Sequence, residues 1–325
     1  MKTNVVVLLI VFALVITGCG PRETLIEGLG NAENSLFTSN GRLLITGADI
    51  WEIKQTENAY EAEVLTENLD CIYAGIDQYK NYIFAVCSAD KKLKPWLLRA
   101  ELAEEMVFEK IYPLTGFTMA NGMAIDATGH VYIADETIVN AKGRIVSLSL
   151  TQDDVPEVVP SSEKVWLSGD EGAQSPNGVT IIDNYLFFTN LDIRRMANIN
   201  TSVKRVAIEG DTHGAVETVY KRKTLKNSSF FDDLTHVTYS GTQYLIMADY
   251  LKGTTLAVEA FKTNQPAPLY ETEAGKFAGP TSCIVGQGIG FGITDLLVTE
   301  GGIVTVDPKS KFGNRLSIVR YQPEE

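Results

Sequence analysis

Four oxygen-bearing side chains recur at one offset along this chain of 325 residues. Glu33 lies eight residues before Gly41, Asn121 eight before Gly129 and Asp233 eight before Gly241. Asn177 holds the same place ahead of an apolar run, Val179 to Ile182, and the turn at Asp183-Asn184. Two carboxylates and two amide carbonyls, with no His or Cys among them, form a hard donor set. It suits Ca²⁺ with waters completing about six to eight positions, or Mg²⁺ or Mn²⁺. A divalent ion would also offset the repulsion between Glu33 and Asp233, which otherwise raises one of their pKa values. The spacing therefore predicts one divalent ion, Ca²⁺ by preference, held by Glu33, Asn121, Asn177 and Asp233. Asn34, next to Glu33, is a second polar residue able to point inward.

Convergence of such distant residues needs a repeating scaffold, and the sequence has one. A unit of apolar strand, Gly- or Asn-containing turn and second apolar strand occurs at 32–47, 72–86, 119–135, 175–190, 232–250 and 281–300. Starting the units at Glu33, Tyr73, Asn121, Asn177, Asp233 and Ser282 gives intervals of 40, 48, 56, 56 and 49 residues. That period is the length of a propeller blade. Outer strands are available at Arg144 to Leu150, Lys164 to Leu167 and Leu256 to Phe261. Helical periodicity is scarce, and its best example, Pro95 to Lys110, reads equally well as two strands. The fold expected is all-β, a six-bladed β-propeller in a single domain from 25 to 325, because equal offsets in equivalent blades mean equal radius and height around the axis.

The N-terminus carries a different signal. Lys2 precedes an almost uninterrupted apolar run from Val5 to Ile16, short for a membrane span and suited to a signal-peptide core. Ile16-Thr17-Gly18-Cys19 resembles the lipobox of bacterial lipoproteins. This implies a signal peptide over 1–18, a lipidated Cys19, a short tether over 19–24 and a bacterial cell-envelope location outside the cytoplasm, with membrane contact through the acyl chains alone. Cys71, Cys87 and Cys283 remain, an odd number, so at least one is free or pairs between chains. Cys71 and Cys87 flank a hairpin near Tyr79-Lys80 and could face each other across it. The formal charge of −13 argues against nucleic acid as a partner.

Around Asn121-Gly122 to Asp135, Ser175-Pro176-Asn177-Gly178, Asp233 to Tyr250 and Thr281-Ser282-Cys283 with Val298-Thr299-Glu300, the chain resembles the six-bladed calcium-dependent propellers. That family includes senescence marker protein 30, the gluconolactonases and, more remotely, the paraoxonases. The resemblance implies that Glu33, Asn121, Asn177 and Asp233 are metal ligands and that Asp233 is also the catalytic base in hydrolysis of a small lactone or ester by a monomer. Two departures bear on the substrate. The Arg that sugar-lactone members tend to place two residues before the first Asn is Met119 here, and Glu33-Asn34-Ser35-Leu36-Phe37 replaces the usual opening, which implies a less polar pocket. A non-catalytic propeller lipoprotein that binds a ligand or protein is the alternative, since the fold hosts both roles.

Other signals are weaker. The glycines at 286, 288, 290 and 292 lack the strand-helix context of a phosphate cradle, and no G-x-S-x-G or H-E-x-x-H is present. His236 should face away from Asp233 on an alternating strand. Trp51, Trp96 and Trp166 read as packing between blades.

Overall fold

The computed structural model describes residues 19–57, 59–66, 69, 71–90, 94–137, 142–193, 199–223, 229–301 and 313–321. The signal peptide expected over 1–18 lies outside them. Short apolar runs broken by tight turns suit strands, and every regular element among the described residues is one. Blade six takes its outermost strand from the start of the chain, β1 (Cys19–Glu27). Blade one is β2 (Ser35–Phe37), β3 (Leu43–Thr46), β4 (Ile50–Gln55) and β5 (Tyr60–Val64). Blade two follows with β6 (Cys71–Tyr79), β7 (Tyr82–Asp90), β8 (Trp96–Glu101) and β9 (Glu109–Pro113). Blade three has β10 (Ala120–Ile125), β11 (His130–Asp135), β12 (Arg144–Ser149) and β13 (Lys164–Ser168).

Blade four is broader. β14 (Pro176–Ile182), β15 (Tyr185–Ile193) and β16 (Ile199–Glu209) carry both β17 (Thr212–His213) and β18 (Glu217–Lys223) on the edge of β16. Blade five has β19 (Phe231–Tyr239), β20 (Thr242–Asp249), β21 (Thr254–Glu259) and β22 (Tyr270–Glu271). Blade six is β23 (Pro280–Val285), β24 (Asp295–Glu300), β25 (Arg315–Tyr321) and then β1. The six-bladed propeller is therefore the fold, and the stretch around Pro95 to Lys110 forms strands β8 and β9.

The tether expected over 19–24 is instead part of β1, with Arg22 opposite Val319 and Glu27 opposite Arg315. A three-stranded last blade would leave the edge of β25 unpaired, and β1 covers that edge and closes the ring. Arg22 adds an ion pair to Glu300 at 3.0 Å.

The core is distributed between blades. Leu44 and Ile50 of blade one pack with Ile83 and Leu98 of blade two, and Leu29 and Trp51 pack with Leu297 and Ile318 of blade six. Trp166 joins blade three to blade four through an edge-on contact with His213. Cys71 and Cys87 form a disulfide between β6 and β7, whereas Cys283 is a free, buried thiol. A cross-link over 16 residues restricts the unfolded chain by about 3 kcal/mol. Replacing both cysteines by alanine should therefore lower urea-unfolding stability by about 2–4 kcal/mol. Equal midpoints for the oxidised protein and the double variant would show that the bridge contributes nothing.

Candidate functional site

The innermost strands of blades two to six start with a bulge. In β10 the register passes from Ala120↔Asp135 to Met123↔Ile133, in β14 from Pro176↔Asn190 to Val179↔Phe188 and in β19 from Phe231↔Asp249 to Leu234↔Met247. The two residues in each bulge are Asn121-Gly122, Asn177-Gly178 and Asp232-Asp233. β6 has Ala74-Gly75 at the same place. In blades four, six and one a threonine of the second strand donates its hydroxyl to the carbonyl of the next blade's first bulge residue. These bonds are Thr189 to Asp232 at 2.5 Å, Thr299 to Glu33 at 2.8 Å and Thr46 to Ala74 at 2.6 Å. The stitch and the bulges together place Glu33, Ala74, Asn121, Asn177, Asp232 and, through Ser282 N to Thr299 Oγ1, Thr281 in one ring.

In blade five the register differs by one residue from the expected offset. Glu33, Asn121 and Asn177 belong to the ring as expected, but their counterpart in blade five is Asp232. Asp233 instead occupies the second bulge position, with Ser282 and Asn34. Counting back from the turn glycine misplaces it because β19 and β20 close over Ser240-Gly241, whereas β10 and β11 are joined by residues 126–130. Counting forward to the apolar residue after the bulge (Met123, Val179 or Leu234) gives the register.

The second position is glycine in three blades because neighbouring strands almost touch there. A Cβ on Gly122 would stand 2.8 Å from Gly178 Cα, and one on Gly178 would stand 2.5 Å from Asp233 Cα. Asp233 itself faces blade six, accepting hydrogen bonds from Leu234 N–H and the Ser282 hydroxyl.

Glu136 was not among the expected residues. It follows β11 directly, its N–H bonds Met119 O at 2.9 Å, and its buried Oε2 accepts Nδ2–H bonds from both Asn121 and Asn177 at 3.2 Å. The visible signal is a second acid placed after Asp135, at the strand end that faces the start of β10. Glu136 Oε1 and Asn121 Oδ1 are buried and have no hydrogen-bond partner.

The electrostatics set these acids apart from others in the molecule. Burial, then the charges of Asp233 and Glu136, push Glu33 up to about 8. Burial raises Glu136 to about 7 and Asp233 to about 7, against the pull of their hydrogen bonds. Asp232 is also raised well above the carboxylate range, by burial first and then by Glu33, Glu136 and Asp233. Glu33 and Asp233 are partly exposed, Asp233 onto the axial channel, while Asp232 and Glu136 are buried. Asp135, Asp249 and Glu300, at the ends of second strands, are paired with Arg144, Arg222 and Arg315. Burial would raise Glu300 too, but hydrogen bonds from Arg315 and Ser317 hold it below the usual value. Among the described residues no Lys or Arg acts on the central four in this way.

The donors fit a hard cation: carboxylates of Glu33, Glu136 and Asp232, an unpartnered Asn121 carbonyl and no soft atom. Among the described residues no three Asp, Glu, His or Cys side chains make a closed cage by themselves. Amide oxygens and small side-chain rotations would have to complete one.

His236 departs from expectation as well. It lines the same axial channel as Asp233, because the bulge resets the alternation of β19, and its Nδ1 lies 3.0 Å from Thr180 Oγ1. The glycine-rich loop lies between β23 and β24, where Gly288 rests against the backbone of Gly41 in blade one.

A carboxyl whose folded pKa is raised stabilises the fold most below its unfolded pKa, near 4, and loses that contribution as pH rises through the folded value. With Glu33 near 8 and Glu136 and Asp233 near 7, the chelated protein should lose thermal stability as pH rises from about 5 to about 8 and level off above that. Glu33→Gln should flatten that slope. A melting temperature that stays level or climbs over this interval would contradict the uncompensated cluster.

No family model matches the chain, and no curated protein matches it. Solved structures do. A PQQ-bound aldose sugar dehydrogenase from Streptomyces coelicolor superposes with TM-score 0.64 at 11% identity, covering 92% of this chain and 96% of that one. An oxidoreductase (glucose dehydrogenase) from Thermus thermophilus gives 0.62 at 15% identity, covering 93% and 100%. An α-L-arabinanase from Penicillium chrysogenum, complexed with arabinobiose, gives 0.60 at 10%, covering 93% and 97%. At these identities the likeness is one of fold, and the chain shares with them the architecture of a β-propeller.

Proposed function

We propose that this protein is a divalent-metal-dependent hydrolase of lactone or ester type, with Ca²⁺ held at the axis. The observation that supports it is the largely buried cluster of Glu33, Glu136, Asp232 and Asp233, without a cationic partner among the described residues, beside the unpartnered oxygens of Asn121 and Glu136. Charges so placed call for a cation or for protons. Glu33, Asn121, Glu136 and Asp232 would hold the ion, with Asn177 orienting Glu136 through its Nδ2–H. When bound, the ion would polarise the substrate carbonyl and stabilise the developing oxyanion.

Asp233 suits the proton-transfer role. It opens onto the channel, and burial brings it to about 7, near the operating range of a general base. Its bonds from Leu234 N–H and Ser282 fix the carboxylate, leaving a lone pair to take the proton of an attacking water. Glu136, tied to both asparagines, keeps blades three and four in register around the reacting group. Met119 is half-exposed in the connection leading into β10, in keeping with a substrate less polar than a sugar lactone. The mature monomer would be anchored in the cell envelope through lipid on Cys19.

The bonds that join blades through Glu136 also suit a scaffold whose ion only ties the ring together. Two substitutions separate the readings. Asp233→Asn should cut hydrolysis of γ-lactones or aryl acetates by about 100-fold while bound Ca²⁺ stays near one per chain. Asp232→Asn should lose both. Ca²⁺ binding without turnover on any lactone or ester would leave the scaffold, and no Ca²⁺ binding at all would remove both readings.

A further inference from the structure

Past the bulges, the channel widens into a cavity of about 270 Å³ walled by the inner strands of all six blades. Its polar lining includes Asn34, Asp77, Thr180, Asp233, His236 and Ser282, set among aliphatic side chains such as Ile125 and Ile181. Asn34 is 5% exposed, its backbone N–H and C=O are both bonded to Thr46, and its side-chain Oδ1 has no hydrogen-bond partner. A buried carbonyl left unpaired costs stability unless something in the cavity donates to it.

The rest of the wall indicates what would donate. Asp77 is held in place by the N–H groups of Gln78 and Ile125, each at 2.7 Å. Burial raises it to about 6, so it is largely ionised at neutral pH. Burial lowers His236, which is therefore neutral there despite the opposing charge of Asp183. Among the described residues no Lys or Arg lines the cavity. The wall is thus rich in acceptors, carries net negative charge and has an aliphatic half.

We propose that this lower chamber is a binding site for a small organic cation, an ammonium head carrying a compact apolar body. The head would donate to Asn34 Oδ1 and lie within the field of Asp77, with the body against Ile125 and Ile181. An anion would meet carboxylates without a counter-charge, and a neutral body of the same shape would leave the field of Asp77 unused. The chamber shares Asp233 and Ser282 with the site proposed above, but the head would be seated at Asn34 and Asp77 and does not depend on the ring holding a metal.

The test is calorimetric titration of the full chain, in chelator, with cyclohexylammonium, cyclohexanol and cyclohexanecarboxylate. The ammonium should bind with Kd of about 1 mM or tighter and the other two at least about tenfold more weakly. Asn34→Leu, which removes the orphan carbonyl, should weaken ammonium binding about tenfold without lowering the melting temperature. Ile181→Trp, which fills the chamber from the opposite wall, should abolish binding and decides the matter if Asn34→Leu does not fold. Equal binding of the alcohol and the ammonium, undiminished binding in either variant, or no heat from any probe would overturn the proposal and leave a water-filled channel. Loss of Ca²⁺ uptake in Asp232→Asn with ammonium binding intact would show that the two sites stand or fall separately.

Discussion

Six strands must meet at one axis, and the close approach of their backbones is the constraint from which the rest of this structure follows. Strands at ordinary spacing cannot bring a hydroxyl of one blade under a carbonyl of the next unless the inner strand bends at its start. The bulges supply that bend. They turn the first carbonyl of the bulge toward Thr46, Thr189 or Thr299 of the preceding blade. They also bring the second residue so near its neighbour that Gly75, Gly122 and Gly178 have no room for a side chain. Packing at the axis and display of polar groups there are two results of one local distortion.

The same distortion explains how much could be read in advance. Blade number and the inner two strands of each blade are legible in the sequence because each repeat carries its own alternation and turn. The closing strand is not, since Cys19 to Glu27 has no hairpin partner nearby and pairs with β25 across almost the whole chain. At the site, Glu33, Asn121 and Asn177 are legible because their blades share a turn length or an aligned apolar run. Asp232 is hidden behind Asp233 because the turn of blade five is shorter and its strand longer, so a one-residue error survives a count from the glycine. His236 is misjudged for a related reason, since strict alternation does not survive a bulge. Glu136 lies outside the repeat altogether, one residue beyond the acid that ends the second strand.

That terminal acid matters to the site without touching it. Asp135 accepts N–H bonds from Thr118 and Met119, Asn190 accepts from Ser175, and Asp249 accepts from Phe230. Glu300 binds the N–H of Ala278 in the same way. Each clamps the connection that leads into an inner strand, immediately before its bulge. A guanidinium on the far side of Asp135, Asp249 and Glu300 pairs with each clamp. The ring residues are thereby positioned by a repeated outer contact that lets their own side chains remain unpaired.

Two sets of buried acids in one molecule thus have opposite surroundings. The outer set spends its charge on arginines and backbone N–H groups, an arrangement complete within the chain. The inner set has amide N–H donors from Asn121 and Asn177, a hydroxyl from Ser282 and, among the described residues, no full positive charge. If these acids were only structural, the arrangement at Glu300 would serve them better, because the strand ends have space for arginine and the fold uses it there. Crowding at the axis excludes a long cationic side chain, as the glycine positions show. A compact external cation can enter where arginine cannot, and the hard oxygen donors left at the ring are those such a cation prefers.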